Sequence, residues 1–137
     1  MANLSITAAN VAIASLSQVR VVQVGESVTQ GQALYLKASD GKYWKADANA
    51  SAATAAARGI ALSPASTDGY VVLHDRPGDF VNLGATLTAG ETYVVSATAG
   101  AICPIADLTT GDYVTILGSA TTSALIKTIY TSTGAQK

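Results

Sequence analysis

The sequence predicts an all-β protein, a compact β-barrel or β-sandwich built from two copies of one β-unit, with an extended N-terminal arm. Two observations carry this prediction: short segments of alternating apolar and polar residues recur between turn residues, and glycines repeat at a fixed interval. The chain has 137 residues, which is enough for one domain with its own core. We therefore expect residues 1–18 to form the arm and residues 19–137 to form a single β domain.

The repeat is defined by four glycines. Each of them recurs 59 residues later: Gly25 as Gly84, Gly31 as Gly90, Gly41 as Gly100, and Gly59 as Gly118. Residue classes between the glycines also match, so that Val28, which we expect to anchor a tight loop in the core, corresponds to Leu87. We interpret this as an internal duplication of residues 19–73 and 78–132, joined by His74–Pro77. We expect each glycine to follow a strand or to lie in a turn.

Period-two patterns bounded by turn residues place the strands. The predicted strands are Arg20–Val24, Ala33–Ala38, Lys42–Lys45, Arg58–Leu62, Tyr70–Leu73, Thr92–Ser96, Ala101–Pro104, Tyr113–Leu117 and Ala124–Tyr130. Asp40-Gly41 predicts a two-residue hairpin turn. The alanine-rich segment Asp47–Ala57 predicts a loop or one helical turn near Ala48–Ala53, capped by Asp47 or Asn49 and followed by strand.

Composition excludes several classes of function. The net charge is -1 and only 12% of residues are charged, so nothing draws the chain to nucleic acid or to an anionic membrane. Such sparse charge is typical of a subunit whose faces are covered by neighbours. The single Cys103 excludes an intramolecular disulfide, and no segment is apolar for long enough to predict a membrane span or a signal peptide. We therefore expect synthesis and use in a reducing compartment, or exit from the cell without secretion.

The sequence offers no set of residues for chemistry. His74, Asp75 and Arg76 place an imidazole, a carboxylate and a guanidinium side by side, but adjacent residues point in different directions, and the segment is interpreted as a charged linker. One His and one Cys in different repeats do not provide the ligands of a metal site. Most aspartates lie in turns, where Asp caps its own backbone. We predict that the protein is not an enzyme and has no catalytic, cofactor-binding or metal-ligating residues and no cofactor.

One predicted hairpin combines aromatic and basic side chains, namely Tyr35, Tyr43, Trp44, Lys37, Lys42 and Lys45. This pattern could stack nucleic-acid bases, but Trp and Tyr are also enriched at protein–protein contacts, and the net charge favours the second interpretation.

The loop and hairpin around Gly25–Leu34 also resemble part of a biotinyl or lipoyl carrier domain. In that family a lysine at the tip of a hairpin carries the cofactor. The family's tip signatures are absent here, and Ala101 stands in the second copy where the first has Lys42. A carrier, or a ligand-binding β module of a cellular complex, is therefore the alternative function.

A second resemblance covers most of the chain from about Val22 onward. The segments Arg58–Leu62, Val81–Ser96 and Ala106–Gly118 resemble a tailed-phage capsid decoration (cement) protein. The resemblance implies a small β protein, commonly a homotrimer, that attaches to the outside of the virion and bridges neighbouring subunits of the major capsid protein. It implies no catalytic residues, no nucleic acid partner and no membrane partner.

The N-terminal arm has few bulky residues. Met1–Ser17 is rich in Ala, Ser and Asn, so we expect it to bind a partner, for example by adding a strand to the edge of the partner's sheet. Deletion of Met1–Ser15 is then expected to leave the melting temperature nearly unchanged.

Overall fold

The computed structural model describes residues 3–13 and 19–137. Within these residues the chain forms eleven strands: β1 (Val11–Ile13), β2 (Arg20–Gln23), β3 (Ala33–Leu36), β4 (Tyr43–Lys45), β5 (Gly59–Ala61), β6 (Tyr70–His74), β7 (Phe80–Leu83), β8 (Thr92–Val95), β9 (Ile102–Pro104), β10 (Tyr113–Ala120) and β11 (Leu125–Gln136). One short helix, α1 (Ala52–Ala55), and 3-10 turns at Ala8–Asn10 and Ile105–Asp107 complete the described elements. The protein is nearly all-β, as the sequence predicts.

The strands form two antiparallel sheets that pack together as a β-sandwich. The first sheet has the order β2-β6-β5-β3-β4, and the second has the order β1-β7-β11-β10-β8-β9. The main core joins the sheets, since Ala33 and Ile60 of the first belong to the same buried cluster as Leu117 of the second. A smaller buried cluster, which includes Leu34 and Val28, covers the other face of the first sheet. Val28 is therefore the buried loop anchor that the sequence predicts.

The two sheets share one strand order. Raising each strand number of the first sheet by five gives β7-β11-β10-β8-β9, which is the second sheet without β1. The register agrees as well, because Leu34 pairs with Gly59 in the first sheet and Tyr93 pairs with Gly118 in the second. An internal duplication predicts this correspondence, and the correspondence supports that interpretation of the repeat.

Gly59 and Gly118 correct the expectation that every repeated glycine follows a strand or lies in a turn. Both lie within strands, β5 and β10. A Cβ at Gly59 would overlap the carbonyl oxygen of His74 on β6, and a Cβ at Gly118 would overlap that of Lys127 on β11. Glycine is required at these two positions because a neighbouring backbone approaches too closely for any side chain.

The connection between β3 and β4 is longer than predicted. The Lys37 amide donates to the Lys42 carbonyl at 2.9 Å, which leaves a loop of residues 38–41, so the predicted two-residue turn at Asp40-Gly41 is wrong. The turn role of Asp40 is confirmed, since its carboxylate accepts from the Lys42 amide at 2.9 Å. This bond, followed by one from the Trp44 indole, lowers the pKa of Asp40.

The alanine-rich segment also differs from its prediction. Helix α1 begins after Ser51, whose side chain accepts from the Thr54 amide while the Thr54 hydroxyl accepts from the Ser51 amide. This capping box makes Ser51 the N-cap, so the helix begins later than predicted and the predicted caps Asp47 and Asn49 are wrong. The strand expected at residues 54–57 is also wrong, because the helix continues to Ala55.

The N-terminal segment is part of the sandwich. Strand β1 pairs with β7, placing Val11 opposite Leu83, and Val11 is 6% exposed. Leu4, Ile6 and Ile13 pack against the main core. For residues 3–13 the prediction of an extended arm that contributes little to the core is therefore wrong. Residues 14–18, the rest of the predicted arm, lie outside the described residues.

The same segment joins the end of β7 to β9 in the second sheet. In the first sheet the ends of β2 and β4 meet directly, since the Gly25 amide donates to the Tyr43 carbonyl at 3.0 Å. At the corresponding positions of the second sheet, the Gly84 carbonyl accepts from Thr7 at 2.7 Å and the Ile102 carbonyl accepts from Leu4 at 2.8 Å. Residues 4–7 therefore bridge a gap that the first sheet closes with its own strands.

Candidate interaction surface

His74 is a structural residue of the core. It ends β6 and is fully buried, so it does not belong to the charged linker that the sequence predicts. Its Nδ1 lies 2.8 Å from the Tyr130 hydroxyl, and its Nε2 lies 3.0 Å from Oδ2 of Asp79. The imidazole therefore ties the first sheet to the second, with no exposed ring nitrogen.

Tyr130 completes this buried network. Desolvation, followed by the nearby charges of Asp75 and Asp79, raises the pKa of its phenol, so the hydroxyl stays protonated. Its φ of 52° is uncommon for a residue other than glycine. Sequence reasoning missed this partner of His74 because Tyr130 lies 56 residues away, and no local pattern connects the two.

The hairpin aromatics do not form the exposed contact surface that the sequence predicts. Tyr43 is buried in the smaller core cluster. Trp44 packs over Gly25, and its Nε1 donates a hydrogen bond to the Asp40 carboxylate at 3.0 Å. The Lys37 ammonium lies 4.3 Å from the centre of the Trp44 ring, in a cation–π contact. These side chains are used within the protein.

The other hairpin lysines also have partners. Lys42 pairs with Asp68 at 2.7 Å, and Lys45 pairs with Glu26 at 3.7 Å. The contact with Asp68 raises the pKa of Lys42. A cofactor attached to Lys42, as in a carrier domain, would have to replace this ion pair.

Cys103 lies on β9 with its side chain in the main core. Desolvation, followed by the charge of Asp107, raises the pKa of its thiol to about 11. Within residues 3–13 and 19–137 no three His, Cys, Asp or Glu side chains are grouped so that they could hold a metal ion.

We expect the Cys103 thiol of the folded protein to resist a thiol-specific reagent at about pH 8, because the reactive thiolate is scarce well below the pKa and the sulfur is buried. After unfolding in guanidinium, the same reagent is expected to label one thiol per chain at the rate of a free cysteine. The labelling rate is measured by absorbance, and equally fast labelling of the folded protein would contradict the burial of Cys103.

An exposed apolar strip lies on β2 and β6, on the face of the first sheet that also carries Ile60 and His74. Val21 is 67% exposed and Tyr70 is 63% exposed, and Val19 adds a third exposed apolar side chain at 43%. The register places Val21 opposite Val72 and Gln23 opposite Tyr70, so Val21 and Tyr70 are diagonal neighbours on one face. We call Val19, Val21 and Tyr70 the apolar strip. The sequence predicts both strands but does not show that these three side chains are left uncovered.

No protein-family model matches the chain, and comparison with curated proteins finds no similar one. No helix in the described residues has the length and apolarity to cross a bilayer.

Proposed function

We propose that this chain is a non-enzymatic structural protein that decorates the outside of a tailed-phage capsid and bridges neighbouring subunits of the major capsid protein. The observation that carries the proposal is the apolar strip, in which large side chains are exposed on a sparsely charged sandwich. Contiguous exposed apolar patches are typical of protein contact sites. The resemblance of Arg58–Leu62, Val81–Ser96 and Ala106–Gly118 to decoration proteins supports a capsid as the partner.

The proposed occupant of the apolar strip is the surface of the major capsid protein. Each copy needs to contribute only a few contacts, because several simultaneous contacts on a repeating shell multiply weak ones. By its resemblance the protein is further proposed to act as a homotrimer on the virion, which sedimentation of the free protein tests directly. A carrier function is less well supported, since Lys42 is held by Asp68.

Particles that lack the protein are expected to release their genome at a lower temperature than decorated particles. A shell under internal pressure fails where capsomers separate, and a bridge across that seam stabilises it. High salt is expected to leave the protein attached, because apolar contacts are not screened. The measurement is a thermal-release assay on matched particles at low and high salt.

A substitution in the apolar strip tests, in the same thermal-release assay, whether this surface contacts the capsid. Val21→Glu is expected to lose attachment, because it places a charge in the contact. Ile129→Glu is the matched control, since Ile129 is 42% exposed but lies on the second sheet. Equal release temperatures with and without the protein would refute the cement role, and detachment by salt alone would show that charged contacts hold it.

A further inference from the structure

A groove lies beside the linker between the two halves of the chain. It consists of two adjoining depressions of about 480 and 500 Å³, which share the lining residues Arg20, Asp75 and Pro77. Arg58 lines the first depression and Arg76 lines the second. The sequence contains only three arginines, and all of them line this groove.

The charges of the groove are not balanced by the residues that the structure describes. Asp75 pairs with Arg20 at 2.7 Å and is the one carboxylate among the lining residues that the structure describes. Arg58 and Arg76 are exposed, and neither has a carboxylate partner within 4.0 Å in the described part of the chain. The groove therefore has an excess of two positive charges on a protein whose net charge is -1.

We infer that this arginine groove binds an acidic peptide segment of a partner protein, with Arg58 and Arg76 each receiving a carboxylate. The planar guanidinium donates two parallel hydrogen bonds to a carboxylate, which a lysine cannot do. Pro77 is exposed and lines both depressions, so it offers apolar surface to the methylene groups of glutamate side chains. Duplex nucleic acid is a poorer fit, because it is held by many phosphate contacts and the groove offers few cations.

The wall of the groove is fixed before any ligand arrives. Tyr130 lines the first depression, and its hydroxyl is held by the buried His74. Arg20 is oriented by Asp75, although 61% of its side chain is exposed. Because Tyr130 and Arg20 are already held in place, they lose little conformational entropy when a ligand binds, and this favours the binding of a short peptide. The inference does not depend on the partner being a capsid.

The test uses the full-length protein and a six-residue glutamate peptide, with a six-residue glutamine peptide as the neutral probe. Titration followed by NMR is expected to shift the backbone amides near Arg58 and Arg76 with the glutamate peptide alone. Arg58→Gln and Arg76→Gln are each expected to weaken binding about threefold, and the double variant about tenfold, because exposed charge pairs are individually weak. Raising the ionic strength from about 0.05 to 0.5 M is expected to weaken binding further.

Lys127→Gln is the matched control, because it removes one positive charge from an exposed residue that lines neither depression. It is expected to leave the affinity unchanged, and melting curves of all variants check that they are folded. Equal binding of the glutamate and glutamine peptides, or an unchanged affinity in the folded double variant, would overturn the inference. Tighter binding of a six-residue thymidine oligonucleotide at the same amides would also overturn it and would assign the groove to phosphate.

Discussion

Deletion of residues 1–13 is expected to lower the free energy of unfolding by about 5 kcal/mol, which is a large part of the stability of an ordinary domain. Val11 is almost fully buried, and Leu4, Ile6 and Ile13 cover the main core. The deletion also removes the strand pairing of β1 with β7 and the bonds that join the end of β7 to β9. Urea unfolding, followed by circular dichroism, measures the effect.

Two point variants of the full-length chain show whether the lost stability comes from buried side chains or from shortening the chain. Val11→Ala is expected to cost about 2 kcal/mol, since it removes two buried methyl groups. Ala12→Ser changes the exposed neighbour on the same strand and is expected to have little effect. An unchanged unfolding midpoint after the deletion would restore the interpretation that the N-terminal segment serves only to bind a partner.

Gly118→Ala and Gly59→Ala are expected to destabilise the protein by about 3 kcal/mol each. In both variants the new methyl group meets a backbone carbonyl oxygen of the neighbouring strand, which cannot move without breaking the sheet. Similar losses at the two positions are also what the proposed duplication predicts, because each glycine holds the same place in its own sheet.

Gly41→Asn is the control for these glycine variants. A Cβ at Gly41 has no other atom within 4 Å, and asparagine tolerates the φ of 70° found there. Its expected cost is below about 1 kcal/mol. Thermal unfolding measures all three variants, and a Gly118→Ala protein as stable as the parent would show that β10 and β11 are farther apart than described.

Much of the fold can be predicted from the sequence because alternation and turn residues act locally. The paired glycines and the loop anchor Val28 mark equivalent places in the two sheets, and each predicted strand begins within one residue of an observed strand. Strands β1 and β7 are not predicted, and β11 continues to Gln136, beyond its predicted end. What could not be predicted depends on distant partners. Leu4, Ile6 and Ile13 are separated by small or polar residues, and nothing nearby in the sequence shows that they pack against the main core or that Val11 is buried.

The candidate surfaces illustrate the same limit. The sequence marks Trp44 and Tyr43 by residue type, but their exposure depends on what packs over them, and both are used internally. The arginine groove collects Arg20, Arg58 and Arg76 from separate parts of the chain, so no motif identifies it. Such surfaces appear only when the strand order is known.

The bridge formed by residues 4–7 has a consequence for synthesis on the ribosome. These residues are translated before either of their partners, Gly84 and Ile102, exists. The first sheet is made of consecutive strands between Arg20 and His74, so it can assemble while the later strands are still being translated. The N-terminal segment must stay unpaired throughout that interval, and it docks only after β9 has emerged. Residues 4–7 are therefore translated before the rest of the sandwich but are among the last to reach their native contacts.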